Sequence, residues 1–122
     1  MARILVIDDD DHIRETVRRV LEARGHDVLV VEDAAEGIDS LAQSAPDLVI
    51  TEVFMPGQNG LETLLELRKA FPNLKVIVMS GGDSRGLMNL LDDAELLGAN
   101  RTLPKPFKPE ELMAVVDSVL RA

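Results

Sequence analysis

The sequence contains no cysteine, tyrosine or tryptophan, and its aromatic residues are three phenylalanines. The lack of cysteine excludes disulfides, thiolate metal sites and cysteine nucleophiles. The scarcity of aromatic residues predicts an aliphatic core, because 46% of the residues are still hydrophobic. Basic residues are also scarce: 13 Lys and Arg against 22 Asp and Glu leave a formal net charge of −9. This acidic surplus argues against direct binding of nucleic acid or of an anionic membrane surface, since both require clustered basic side chains.

Long hydrophobic segments are missing as well. No run approaches the ~18 apolar residues that a membrane-spanning helix requires. The apolar run at residues 4–7 is too short for a signal peptide and is followed by four aspartates. We therefore expect a cytoplasmic protein that forms one domain over residues 1–122, because this length is typical of a single domain.

Five short apolar runs alternate with amphipathic stretches along the chain. The runs are residues 4–7, 28–31, 48–50, 76–79 and, more weakly, 102–103. They are largely β-branched and apolar on both faces, as buried parallel strands are. Apolar residues at helical spacing fall within residues 13–21, 38–42, 61–65, 87–98 and 112–120. This alternation predicts an α/β fold: a (βα)5 flavodoxin-like, doubly wound parallel sheet with strand order 2-1-3-4-5.

Polar residues follow the predicted strands where a sheet of this kind places its functional crevice. Strand 1 is followed by four aspartates at residues 8–11, strand 3 ends in Glu52, strand 4 ends in Ser80, and Lys105 follows strand 5. A glycine-rich phosphate loop would place glycines after strand 1, and this chain has carboxylates there. Carboxylates bind phosphate through a divalent cation, and Mg²⁺ prefers oxygen ligands.

Each of these residues also has a simpler interpretation. Asp10 and Asp11 are expected to cap the first helix rather than to bind a metal. Lys105 is either a surface lysine in a rigid turn or a charge aimed at a phosphoryl oxygen or a carboxylate. Ser80 is either a turn hydroxyl or a hydrogen-bond donor to phosphate. His12 is expected to face solvent.

Several separated motifs agree in type and spacing with one known family. They are residues 4–9, residues 46–50, Met55-Pro56-Gly57 with Gly60, Ser80, and Lys105-Pro106-Phe107. Together they resemble the receiver domain of bacterial two-component response regulators, in its chemotaxis-type single-domain form. The resemblance covers essentially the whole chain. It implies a non-enzymatic role in phosphorelay signal transduction, in which a carboxylate at the end of strand 3 takes a phosphoryl group from a histidine kinase or phosphotransfer protein.

The resemblance also implies a set of site residues. It places Mg²⁺ on Asp8, Asp9, Glu52 and the backbone carbonyl of Phe54, with Asp9 favoured over Asp8 as the direct ligand. Ser80 and Thr102 correspond to the switch residues, and Lys105 corresponds to the lysine that contacts the phosphoryl group. The peptide bond before Pro106 is expected to be cis.

Glu52 departs from the family, which has aspartate as phosphoacceptor. The extra methylene displaces the carboxylate by ~1.5 Å. Since a misplacement of ~1 Å can cost on the order of 10²-fold in rate, we expect slow or absent phosphoryl transfer. Glu52 could instead mimic the phosphorylated state in part, pair directly with Lys105 without a metal, or have no biological output. Asp47 cannot replace it, because Asp47 stands at the opposite end of strand 3.

Thr102 is a second departure, because receivers often carry an aromatic residue there. The implied output surface is helix 4, strand 5 and helix 5, roughly residues 84–120, where a downstream target or a second copy would bind. One alternative is an interaction domain that works without phosphorylation. Another, less favoured because the chain lacks a cap domain, is a Mg²⁺-dependent phosphatase using the Asp-x-Asp spacing of Asp8 and Asp10.

Overall fold

The computed structural model describes residues 2–52, 54–55, 58–80 and 98–121. Its strands are β1 Arg3–Ile7, β2 Asp27–Val31, β3 Leu48–Glu52, β4 Phe54–Met55, β5 Gln58–Asn59, β6 Lys75–Ser80 and β7 Arg101–Pro104. Its helices are α1 Asp11–Ala23, α2 Ala34–Gln43, α3 Gly60–Ala70 and a last helix, Pro109–Arg121. The predicted helix at residues 87–98 lies outside the described residues apart from Gly98.

Five of the strands form one parallel sheet in the order β2-β1-β3-β6-β7. When only the five strands of this sheet are numbered in chain order, their spatial order is 2-1-3-4-5, as predicted. The flavodoxin-like fold is confirmed. Parallel strands require crossover connections on the faces of the sheet, which the helices provide. All five carboxyl ends therefore point to one edge of the sheet.

The core has two layers because side chains alternate between the faces of each strand. On β1, Ile4 and Val6 pack in the layer that contains α1 and the last helix, and Leu5 and Ile7 pack in the layer that contains α2 and α3. Isoleucine, leucine and valine make up most of both layers. The predicted aliphatic core is confirmed, with Phe107 and Phe71 only partly buried beside the two layers.

Side-chain caps begin the first two helices. Asp10 precedes α1 and accepts hydrogen bonds from the backbone N–H groups of His12 at 2.8 Å and Ile13 at 3.3 Å. Asp33 precedes α2 and accepts from the N–H of Glu36 at 2.8 Å. These caps satisfy N–H groups that have no partner within the helix. The prediction that Asp10 caps the first helix is confirmed.

Two features of the periphery were not predicted. One is the antiparallel pairing of the short strands β4 and β5, Phe54 with Asn59 and Met55 with Gln58. The other is the exposure of Leu29, 51%, on β2, which lies at the edge of the sheet as the predicted strand order requires but was expected to be a buried strand. None of the helices in the described ranges is long and apolar enough to cross a membrane.

Arg68 on α3 holds the segment that leads into β7. Its Nε donates to the carbonyl of Gly98 at 2.8 Å and its Nη2 donates to Asn100 Oδ1 at 2.6 Å, and its Nη1 contacts the carbonyl of Leu74. The same Asn100 oxygen accepts from the backbone N–H of Val76 at 2.9 Å. These bonds join α3, the start of β6 and the approach to β7, the strand that leads to Lys105.

Gly98→Ala is expected to lower the free energy of unfolding more than Gly25→Ala. Both glycines have positive φ, 112° and 85°, so each alanine costs roughly 1–2 kcal/mol through backbone strain. A Cβ at Gly98 would also lie 3.0 Å from Arg68 Nε, and a Cβ at Gly25 would have no heavy atom of the described residues within 4 Å. Urea unfolding followed by circular dichroism gives both values. Equal losses would show that the Arg68 side chain moves aside without cost.

Candidate functional site

Four polar residues stand at the carboxyl edge of four neighbouring strands. Asp8 follows β1, Glu52 ends β3, Ser80 ends β6, and Lys105 follows β7. Asp8 and Ser80 are fully buried, Glu52 is 3% exposed, and the Lys105 side chain is 15% exposed. The structure thus brings together four of the predicted site residues in a largely desolvated crevice.

The Lys105 ammonium lies between two buried carboxylates. Its Nζ is 2.6 Å from Asp8 Oδ2 and 2.6 Å from Glu52 Oε2. The other carboxylate oxygen of Asp8, Oδ1, accepts from the backbone N–H of Asp10 at 2.9 Å. The direct Glu52–Lys105 pair, one of the alternatives raised by the sequence, is the arrangement in the structure. We refer to these three side chains as the Asp8–Lys105–Glu52 triad.

Burial and hydrogen bonding act in opposite directions on Lys105. Burial lowers the pKa of its ammonium, and the hydrogen bonds to Asp8 and Glu52 with their negative charges outweigh burial, so that the pKa is raised above its ordinary value. Charge-assisted hydrogen bonds are stronger than those between neutral groups. The ammonium is therefore held in its charged form by the two carboxylates.

The raised pKa of Lys105 predicts a pH dependence of stability. The contribution of the triad is full below the unfolded-state pKa of ~10.4 and is lost as pH rises through the higher folded-state value. The difference in free energy of unfolding between wild type and Lys105→Met should be constant near neutral pH and narrow above about pH 10.4. Urea unfolding at a series of pH values measures it, with Lys108→Met as the control that removes the same charge from an exposed position. A difference that persists unchanged in strong alkali would contradict the prediction.

The triad does not form a ready-made magnesium site. Its carboxylate oxygens are ligands of the type that Mg²⁺ prefers. However, Lys105 already binds one oxygen of Asp8 and one of Glu52. Asp9, the favoured direct ligand in the sequence analysis, is exposed, and within the described ranges no three or more His, Cys, Asp or Glu side chains are grouped to hold a metal ion. The carboxylate oxygens are suitable ligands for Mg²⁺, but their arrangement around Lys105 does not form a binding site for it.

Two further positions were predicted as switch residues. The buried Oγ of Ser80 has no hydrogen-bond partner among the described residues, and the carbonyl of Ser80 accepts from the backbone N–H of Lys105 at 2.9 Å. Thr102 lies in β7 opposite Val78 and is half-buried. The peptide bond between Lys105 and Pro106 is cis, as expected.

Arg14 is a residue beside the site that the sequence analysis missed. Its Nη1 donates to the backbone carbonyl of Asp8 at 2.6 Å, and its Nη2 contacts the Asp11 carboxylate. The sequence could have indicated Arg14 by its position in the first turn of the helix that follows the four aspartates. His12 is exposed, as predicted.

Asp47 lies at the opposite edge of the sheet from the triad. It precedes β3, and its Oδ2 accepts from the backbone N–H of Arg3 at 2.8 Å at the start of β1. Glu52 stands at the other end of the same strand. Asp47 is therefore unable to take the place of Glu52 in the crevice.

Comparison with known proteins points to a single family. The family model described as "Response regulator receiver domain" matches residues 4–117. Response regulator MprA of Mycobacterium sp. (strain KMS) is 40% identical over 120 residues, which are 98% of this chain and 51% of that protein. MprA of Mycobacterium bovis (strain BCG / Pasteur 1173P2) shows the same identity and coverage. The chain thus spans about half the length of these curated relatives.

Solved structures agree with the sequence matches. The receiver domain of NtrX from Brucella abortus superposes with a TM-score of 0.91 at 32% identity, covering 98% of both chains. A response regulator receiver domain protein from Clostridium thermocellum gives a TM-score of 0.89 at 30% identity, over 99% of this chain and 95% of that one. With the family model matching most of its length and the fold in common, this chain belongs to the response regulator receiver domain family.

Proposed function

We propose that this domain works in a two-component phosphorelay as a receiver whose phosphoacceptor position is held by Glu52 in a closed ion pair. Receiver domains are generally non-enzymatic signalling domains, and response regulators interact with histidine kinases and downstream targets. The observation that carries the proposal is the buried Glu52 carboxylate with its Oε2 2.6 Å from Lys105 Nζ. In this arrangement phosphorylation is impaired, and the charge of Glu52 takes over part of its effect.

The geometry of Glu52 opposes phosphoryl transfer. An acceptor oxygen must approach phosphorus in line with the leaving group, and positioning supplies most of the catalysis in such reactions. The glutamate side chain carries its oxygens ~1.5 Å beyond the position that an aspartate would give them. Its Oε2 is also engaged by the Lys105 ammonium. Displacement and ion pairing both reduce the reactivity of this carboxylate as a nucleophile.

The same geometry supports partial mimicry of the phosphorylated state. The Glu52 carboxylate is a permanent negative charge beside Lys105, the residue that the family resemblance assigns to the phosphoryl group. Ser80, the proposed switch hydroxyl, ends β6, which is the neighbour of β3, and so lies at the same edge of the sheet as Glu52. A carboxylate carries one charge, whereas a phosphoryl group carries −1.5 to −2 with three acceptor oxygens, so the mimicry is incomplete.

The remaining site roles belong to the same proposal. Receiver domains generally bind Mg²⁺ in their acidic pocket. Here a divalent cation would take Asp8, Asp9, Glu52 and the Phe54 carbonyl as ligands, and its charge would offset that of the carboxylates. Two of these residues, Asp8 and Glu52, are already paired with Lys105.

The proposed partners bind two different surfaces of the domain. A histidine kinase or phosphotransfer protein acts on the carboxyl edge of the sheet, and a downstream target or a second copy binds the surface formed by residues 84–120. Of this surface, residues 98–120 are described, and residues 84–97 lie outside the described residues. The extent of the domain over residues 1–122, its single-domain form and its cytoplasmic location stay predictions.

Intact-mass spectrometry after incubation with acetyl phosphate and Mg²⁺ tests the proposal. We expect no stable phosphoryl adduct on wild type, because the Glu52 carboxylate is displaced and paired. An adduct mapped to Glu52 would refute the impaired-acceptor reading. Measurable turnover of a small phosphomonoester would instead favour the phosphatase alternative.

A second candidate, an interaction domain that works without phosphorylation, is favoured by the closed triad. Amide spectra of wild type and Glu52→Gln separate the two candidates, since glutamine keeps the shape and removes the charge. If Glu52 acts as a partial mimic, amides of the last helix, Pro109–Arg121, shift between the two proteins. If only amides around the crevice shift, the output surface does not respond to Glu52, and the second candidate is favoured.

A further inference from the structure

We propose that the outer edge of β2 is a docking site for an extended, basic segment of a partner protein, which pairs with β2 as an added strand. The site, called the β2 edge below, comprises the strand Asp27–Val31 and the groove between it and the end of α2. It includes neither the crevice nor the proposed output surface at residues 84–120. The proposal goes beyond the proposed function, because it requires no phosphodonor and no role of Glu52.

The first observation is the direction of the backbone groups of β2. Asp27 donates its N–H to the carbonyl of Ala2, just before β1, at 2.9 Å. Because alternate residues of a strand bond to opposite sides, the N–H and C=O groups of Val28 and Val30 point away from β1. Among the strands that the structure describes, β2 is the last of its sheet on that side. The β2 edge therefore offers backbone hydrogen bonds to an added strand.

The second observation is the apolar surface along this edge. Leu29 is 51% exposed, more than Leu65 on α3, which is 39% exposed. A groove of about 190 Å³ beside Leu29 is lined by Leu5 on β1 and by the short polar side chains of Ser40 and Ser44 at the end of α2. These short side chains leave Leu29 uncovered. Since a cavity of ~150 Å³ can hold a benzene-sized group, the groove has room for one apolar side chain of the added strand.

The third observation is the charge around the β2 edge, which selects the kind of partner. The sequence has no lysine or arginine between Arg24 and Arg68, and this stretch contains all of β2 and α2. Glu32 follows β2 and Glu36 lies in the first turn of α2, and both are exposed. Neither forms an ion pair with a described residue. A segment with lysine or arginine meets complementary charge there, whereas an acidic segment is repelled.

The two ends of the β2 edge differ in charge, which sets the position of the basic residue. At the amino end, Asp27 is in register with Arg3 on β1, and both line the groove. Opposite charges on neighbouring strands offset each other. At the carboxyl end, Glu32 and Glu36 are not offset in this way. The partner's lysine or arginine therefore belongs beside Glu32, about three residues or ~10 Å from an apolar residue over Leu29.

Peptide titration followed by amide spectra tests the docking. The probe is a short synthetic peptide of alternating valine and lysine with a central leucine. One control peptide has glutamate in place of lysine. The other has proline on both sides of the leucine, which removes backbone N–H groups and keeps the charge. With the lysine–valine peptide alone, we expect amide shifts in β2 and α2 and slower hydrogen exchange at the N–H groups of Val28 and Val30.

A matched pair of leucine variants tests the apolar contact. Leu29→Ala removes the side chain that the peptide would cover, and it should weaken binding by roughly five- to tenfold. Leu65→Ala shortens the other exposed leucine, on α3, and should bind the peptide like wild type. Amide spectra away from β2 report whether each variant is folded.

A matched pair of charge variants tests the complementarity. Glu32→Gln combined with Glu36→Gln should weaken binding and reduce its dependence on salt, because exposed charges attract less as salt screens them. Glu66→Gln combined with Glu110→Gln removes the same charge from exposed positions on α3 and on the last helix. This second double variant should retain the affinity of wild type.

The outcomes separate the partner segment from other occupants of the edge. Weaker binding in Leu29→Ala and in the Glu32 and Glu36 double variant supports the proposal. Absence of binding at millimolar peptide overturns it, and so does binding without slower exchange at Val28 and Val30, which would be unspecific attraction to an acidic surface. Self-association of the free protein that Leu29→Ala abolishes would assign the edge to a second copy and also overturn it. No phosphodonor is present, so the test of the proposed function stays separate.

Discussion

Glu52→Asp is expected to accept a phosphoryl group from acetyl phosphate on the order of 10²-fold faster than wild type, because it returns the carboxylate by ~1.5 Å toward the position of an aspartate acceptor. The shorter side chain also reaches less far toward Lys105, which weakens the ion pair at 2.6 Å that now engages the Glu52 oxygen. Both changes raise the reactivity of the carboxylate. Asp8 and Ser80 are buried at the same edge of the sheet and are unchanged by the substitution.

The rate is measured by intact-mass spectrometry at a series of times with acetyl phosphate and Mg²⁺. Glu52→Gln is the matched control, since it retains the side-chain length and lacks a nucleophilic carboxylate. Peptide mapping should find the phosphoryl group on residue 52. If Glu52→Asp is no faster than wild type, the limitation lies elsewhere in the crevice, and the extra methylene does not explain it.

Lys105→Met is expected to lower the free energy of unfolding by ~3–5 kcal/mol, the usual cost of removing one partner from a buried ion pair. The substitution leaves Asp8 and Glu52 without the ammonium that both contact at 2.6 Å. Methionine is of similar length, so the loss reports mainly on charge rather than on a cavity. Against a total stability of roughly 5–15 kcal/mol, this is a large fraction.

Urea unfolding near neutral pH measures this loss, with Lys108→Met as the control for net charge. The double variant Glu52→Gln with Lys105→Met should recover part of the loss, because it removes one of the two uncompensated carboxylates. A loss below ~1 kcal/mol, the range of exposed ion pairs, would show that the triad is solvated in solution.

The fold was largely predictable from the sequence because its signals are local and repeated. Short β-branched runs separated by amphipathic stretches predict parallel strands with crossover helices, and right-handed crossovers restrict the strand order. Because the strands are parallel, the residues at their carboxyl ends, Asp8, Glu52, Ser80 and Lys105, are predicted to lie at one edge of the sheet. Asp10 and Asp33 at helix starts follow from the chemistry of N-caps.

What the sequence left open depends on side-chain geometry. Whether Glu52 meets a metal or Lys105 is decided by a displacement of about one bond length, which no residue pattern encodes. The bonds from Arg68 to Gly98 and Asn100 join positions about 30 residues apart, and the charge of Arg68 alone does not indicate them. The two-residue strands β4 and β5 are too short to give a periodic signal.

The exposed edge of the sheet gives the acidic composition a further consequence. The outer side of β2 presents backbone groups and Leu29 to solvent, which is a template for pairing with another strand. Exposed carboxylates, Asp27 and Glu32, stand at its two ends. In an antiparallel pairing of two copies through β2, Asp27 of one copy would approach Glu32 of the other, and like charges would repel. We therefore expect the negative charge at both ends of β2 to disfavour pairing of two copies through this open edge.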